Sequence, residues 1–177
     1  MLRGKSAPDI TLGAMKARPL VDMESYCAAI GLVAMQWSAL ENSVHRLLWR
    51  LASLETNVGR CITQHVALGT IWDSILSLAA ELKLPEERQL LLQGLYARCE
   101  PLRLRRNEVV HAQWGITSGT NLAKGELTAI VVKARKRLKV EFHNHTVEFM
   151  HSLAQDISAL SLEIAKQAVL PLVEDGA

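Results

Sequence analysis

From Ile30 onward the apolar residues fall at Ile30, Val33, Trp37, Leu40, Val44, Leu48 and Leu51, an alternation of threes and fours. That spacing draws one stripe along an α-helix of 3.6 residues per turn. A helix this long must lay its stripe against other helices, so the chain is constrained toward a bundle. Asp22 is the natural N-cap and the helix should run to about Ser53. A short helix follows over about 57–66, and a stronger one over about 70–83 (TIWDSILSLAAELK). Pro85 then occupies an N1 position, with Glu86 and Glu87 in the favourable first turn. The helix it opens runs toward Trp114, and Pro101 must kink or divide it because proline lacks the backbone donor.

After Gly115 the texture changes. ELTAIVVKA and RLKVEFH are rich in β-formers, and Leu138, Val140 and Phe142 alternate with Lys139, Glu141 and His143. Residues 134–137 (ARKR) read as the turn of a hairpin spanning about 116–143. Asn144 or Thr146 can cap a last helix striped by Phe149, Leu153, Ile157, Leu160 and Ile164, with Pro171 just beyond it. The expected fold is mainly α: an up-and-down bundle of four to five helices carrying a small inserted β-hairpin. Residues 1–20 read as a loosely ordered arm, 21–171 as one domain and 172–177 as a tail.

The 177 residues are 49% apolar with a formal net charge of only +2, a balance expected of a globular protein rather than one binding nucleic acid through bulk charge. No apolar run approaches the roughly 18 residues of a membrane span, and the first residues lack a signal-peptide core. A cytoplasmic protein with no membrane association is therefore expected. Cys27, Cys61 and Cys99 are odd in number and widely spaced, which predicts reduced, partly buried thiols. Trp49 and Trp72 read as core. His143, His145 and His151 are too loosely spaced for a metal site, and no cofactor or metal is called for.

The segment RRNEVVHAQW places Arg103, Arg106, Asn107, Val110, His111 and Trp114 along one helical stripe. An arginine followed shortly by a histidine also occurs at Arg60–His65 and Arg137–His143, so the spacing alone carries little. The form Arg106-Asn107-x-x-x-His111, the nearby Trp114, and WSALE at 37–41 together resemble the HEPN superfamily (higher eukaryotes and prokaryotes nucleotide-binding). The resemblance covers roughly residues 22–170. It implies a helical bundle acting as a homodimer, and a metal-independent endoribonuclease of the toxin or defence kind, with a cognate antitoxin as a further partner. Gln113 stands where members regulated by nucleotidylation carry a tyrosine.

RNA brings its own nucleophile, the 2′-hydroxyl beside each phosphate. An enzyme need only move protons and stabilise charge on phosphorus. Histidine titrates near neutrality and can do the first, while arginine's planar, permanently charged fork can do the second. His111 and Arg106 are the candidate catalytic pair, and Asn107 could fix the imidazole tautomer or donate to phosphate. The resemblance implies a 2′,3′-cyclic phosphate product. Arg103, Trp114, Lys136 and Arg137 are candidate substrate-binding residues. The cationic run at 133–139 serves equally well as a solvated hairpin tip that blocks edge pairing. Glu41 either pairs with Arg103 or Arg106 and orients the site, or lies in water at the margin of the first stripe. The rival function is a non-catalytic dimeric module binding RNA, a nucleotide or a protein partner.

Overall fold

A computed structural model describes residues 22–133 and 139–170. The N-terminal arm, the 134–137 turn, Leu138, Pro171 and the C-terminal tail lie outside the described residues. Five helices form the body: α1 (Met23–Leu51), α2 (Thr56–Thr63), α3 (Leu68–Glu81), α4 (Glu86–His111) and α5 (Val147–Val169). The expected mainly-α bundle with a small β element is what the chain adopts. α1 is the central helix, with its largest interface against α5 and further contacts with α3 and α4. Its stripe is buried as the spacing predicts, from Val33 through Trp37, Leu40, Val44 and Leu48 to Leu51, with Ile30 packed at the edge.

The helix ends follow from local chemistry. Asp22 caps α1 by accepting from the Ser25 amide (3.2 Å) and hydroxyl (2.5 Å), and these bonds hold its carboxyl below the usual range. Thr146, not Asn144, caps α5. Pro85 stands one position earlier than expected, at the N-cap of α4, with Glu86 and Glu87 in the first turn. Pro101 does not divide α4, which runs through it unbroken. Proline there forfeits one backbone bond on an exposed side, a loss that flanking turns and the buried Cys99, Leu102 and Val109 outweigh.

The hairpin is larger than expected. Three antiparallel strands, β1 (Gln113–Gly115), β2 (Leu127–Lys133) and β3 (Lys139–His145), form a meander in the order β1-β2-β3. Leu127 pairs with His145 and Ile130 with Phe142, so Leu127, Ala129, Glu141, His143 and His145 share one face. That face turns inward: Leu127 and Ala129 are buried, whereas Val140 and Phe142 on the other side are exposed. The polar set of β3 faces the protein because α4 supplies a carboxylate for it. Glu108 Oε1 lies 2.7 Å from His145 Nε2 and 3.3 Å from His143 Nδ1. His143 is therefore not the far end of an exposed hairpin.

Trp49 and Trp72 are core residues, as expected. Of the cysteines, only Cys99 is buried, and burial pushes its thiol up to about 11, while Cys27 and Cys61 are exposed rather than partly buried. The Trp49 indole donates to Thr63 Oγ1 (3.1 Å), whose hydroxyl donates to the Gly59 carbonyl (2.7 Å). The ring is thus locked flat against Gly59, where an added Cβ would meet it at 2.5 Å. Alanine normally favours a helix over glycine by about 1 kcal/mol. Here Gly59→Ala should instead destabilise by about 1–3 kcal/mol through overpacking, measurable as a lower urea midpoint; an unchanged or raised midpoint would show that Trp49 yields freely.

Candidate functional site

The last two turns of α4 and the middle of α1 meet at Arg106. Arg106 lies on the edge of α4 beside α1, and its guanidinium carbon sits 5.6 Å from the ring centre of Trp37. A cation over an indole face is held electrostatically by the ring quadrupole. From there the guanidinium reaches along its own helix. Its Nη1 donates to Asn107 Oδ1 (3.0 Å) and lies 3.0 Å from His111 Nε2. A guanidinium has no lone pair to offer, so in this contact His111 Nε2 is the acceptor. Arg106, Asn107 and His111 thus converge on one nitrogen, although Arg106 and His111 leave the helix in well-separated directions. The length of the arginine closes that gap.

His111 is exposed, whereas Arg106 and Asn107 are half-buried. Arg106 Nε is buried without a hydrogen-bond partner. Such an orphaned donor costs about 1–3 kcal/mol and calls for an explanation beyond packing.

Glu41 pairs with neither arginine. Its Oε1 accepts from the Trp37 indole N–H at 2.7 Å, one helical turn away. It fixes the indole whose face carries Arg106, so its link to the guanidinium runs through the ring. The same edge of α1 continues to His45, whose pKa is lowered by burial against the raising effect of Glu41, and on to the Trp49 ring 6.0 Å from it. Trp37 is the residue that the stripe alone assigns only to the core. The signal available in the sequence was the i, i+4 pair of an indole N–H and a carboxylate in WSALE.

The other candidates lie elsewhere. Arg103 makes a two-pronged ion pair with Glu100, at 2.7 and 2.6 Å, and is not directed at Glu41. Trp114 is not on the helical stripe at all. α4 ends at His111, and Trp114 belongs to β1, where its N–H donates to the Val109 carbonyl (3.0 Å) and its ring packs against Tyr26 and His145. With its polar atom spent and its ring packed, it braces the turn from helix to sheet. Lys136 and Arg137 lie outside the described residues.

Next to this cluster is a second one. Glu108, which follows Asn107, bridges His143 and His145, and His145 stacks on Phe149 with centroids 4.2 Å apart. The link ties β3 and α5 to the turn of α4 that carries Asn107 and His111. Among the described residues, no three His, Cys, Asp or Glu side chains are grouped to hold a metal ion, and no helix is long and apolar enough to cross a membrane. The fold and this cluster define a helical bundle with a small antiparallel meander, presenting arginine, asparagine and histidine at the end of one helix. No family model, curated protein or solved structure matches the chain.

Proposed function

We propose that the protein is a metal-independent endoribonuclease that cleaves RNA through its own 2′-hydroxyl, with Arg106 and His111 as the reacting pair. The observation that carries this reading is the single Arg106 nitrogen 3.0 Å from both Asn107 Oδ1 and His111 Nε2. An imidazole nitrogen that accepts from a guanidinium can equally accept a hydroxyl proton as a general base. In the reaction the substrate 2′-hydroxyl takes the place of Arg106 at Nε2 and gives its proton to it; the 2′-oxygen bonds to phosphorus as the bond to the 5′-oxygen breaks, and the imidazolium so formed returns the proton to that leaving oxygen. The freed guanidinium then turns its fork to the phosphate, where charge builds in the transition state. Asn107 keeps the arginine aimed during this exchange. The resemblance of Arg106-Asn107-x-x-x-His111 and WSALE to HEPN proteins supports the same chemistry, including a 2′,3′-cyclic phosphate end.

The direct test incubates the purified protein with mixed RNA in the presence of EDTA. Cleavage leaving cyclic phosphate ends is expected. RNA retarded on a gel but never cut would replace this reading with that of a binding module.

An exposed His111 at the end of one helix makes a shallow site, and two such sites facing across a two-fold axis would make a cleft. We therefore expect a homodimer with both copies of Arg106 and His111 near the axis. Light scattering should give twice the chain mass at micromolar concentration; a stable monomer would refute the arrangement.

Glu41→Gln keeps the shape but weakens the acceptor for the Trp37 indole. Cleavage should slow by about 3- to 10-fold, the effect of weakening one charge-assisted hydrogen bond, with unchanged circular dichroism. Full activity would leave Glu41 a structural partner of Trp37 only.

A further inference from the structure

On the side of α1 away from Trp37, a cavity of about 490 Å³ opens between α1, the start of α2 and the end of α5. Arg46 lies nine residues beyond Trp37, or half a turn around the helix at 100° per residue, so this cavity is separate from the Arg106 cluster. Its volume falls within the range of small-molecule sites. Asn42, Arg46 and Arg50 of α1 and Thr56 at the start of α2 line it, together with Trp49 and Ala168.

Two arginines border the same cavity. Arg98, Arg103 and Arg105 each have a carboxylate partner, in Glu163, Glu100 and Asp156. Arg46 and Arg50 have none among the described residues. Like charges four residues apart weaken a helix by a few tenths of a kcal/mol. The pair therefore does nothing for α1 itself, yet both side chains border one concavity. The apolar wall is rigid, because the Trp49 ring is pinned by Thr63 and seated on Gly59.

We infer that this cavity binds a small phosphate monoester with an apolar or aromatic body. Two guanidinium forks, an amide and a threonine hydroxyl offer more donors than the two oxygens of a carboxylate can use, whereas a phosphate monoester has three terminal oxygens and close to two negative charges. That charge matches Arg46 plus Arg50. The apolar part of the lining, which includes Trp49 and Ala168, takes the organic part. A phosphodiester, with two free oxygens and one charge, fits less well, so the site is not an extension of an RNA track.

The test is calorimetric titration of the full chain with phenyl phosphate. One saturable site per chain is expected, with inorganic phosphate and methyl phenyl phosphate binding at least about tenfold more weakly. Arg46→Gln and Arg50→Gln should each weaken phenyl phosphate by about 10- to 100-fold, the loss of a charge-assisted hydrogen bond. Arg105→Gln, whose partner Asp156 lies more than two helical turns before the lining residues of α5, should change nothing. A second readout needs no variant: the side-chain amide of Asn42 should shift in the NMR spectrum of the wild-type chain as phenyl phosphate is added. No saturable binding, or binding indifferent to Arg46 and Arg50, would overturn the site. Equal affinity for inorganic phosphate would remove the apolar body from the proposal. None of these outcomes depends on whether the chain cleaves RNA.

Discussion

His111→Ala and Arg106→Ala will each reduce RNA cleavage to near background while leaving the helical circular dichroism spectrum in place. General acid–base catalysis by a positioned histidine contributes about 10²- to 10⁴-fold. A charge donor aimed at a developing oxyanion contributes about 10²- to 10³-fold. His111 is exposed and its loss removes no buried contact, so its effect should fall on rate alone. Arg106 also rides over Trp37, so its loss should cost a little stability and should weaken RNA binding more than His111→Ala does. The double variant should be scarcely worse than either single one, since groups acting as a unit are non-additive. His65, exposed in the turn after α2, is the clean control and His65→Ala should cut normally. His143 is not a neutral control, because it contacts Glu108 beside Asn107. A wild type that cuts RNA while both single variants retain full rate would move the site elsewhere.

The helices were legible because each is written locally. Their stripes repeat within a turn or two, and Asp22 and Thr146 cap from adjacent positions. The pairing of Arg106 with His111 was nearly as legible, since both sit on one helix within reach of a long side chain. What escaped depends on where separate segments meet. The end of α4 carries no glycine or proline, so nothing in Ala112-Gln113 marks the switch to β1 that takes Trp114 off the stripe. Glu108 and His145 meet across 37 positions, and periodicity within β3 cannot reveal that a carboxylate waits opposite its polar face. Without that knowledge, Val140 and Phe142 look like the inward residues. The partner of Glu41 was readable in principle as an i, i+4 indole and carboxylate, but the charge of Arg103 and Arg106 drew the expectation away from it.

Trp37 is where core and site coincide, and two substitutions should separate its roles. The residue is 1% exposed, lies in the middle of the α1 stripe and supports Arg106 on its ring face. Trp37→Ala empties a large volume in a close-packed interior and should cost about 3–5 kcal/mol. That is a large share of the roughly 5–15 kcal/mol holding a typical domain together, so the urea midpoint should drop steeply and activity should fall with it. Trp37→Phe keeps a ring under the guanidinium and most of the apolar contact, but deletes the N–H given to Glu41. Glu41 is half-exposed and can turn to water, so the stability cost should be nearer 1–2 kcal/mol. The phenyl face holds a cation less well than indole, and without Glu41 the ring is free to tilt. Cleavage by Trp37→Phe should therefore fall by about tenfold at a temperature where the variant is fully folded, with the loss in kcat rather than KM. If Trp37→Phe cuts at the wild-type rate, Trp37 belongs to the core alone, and Arg106 owes its aim to Asn107 and His111.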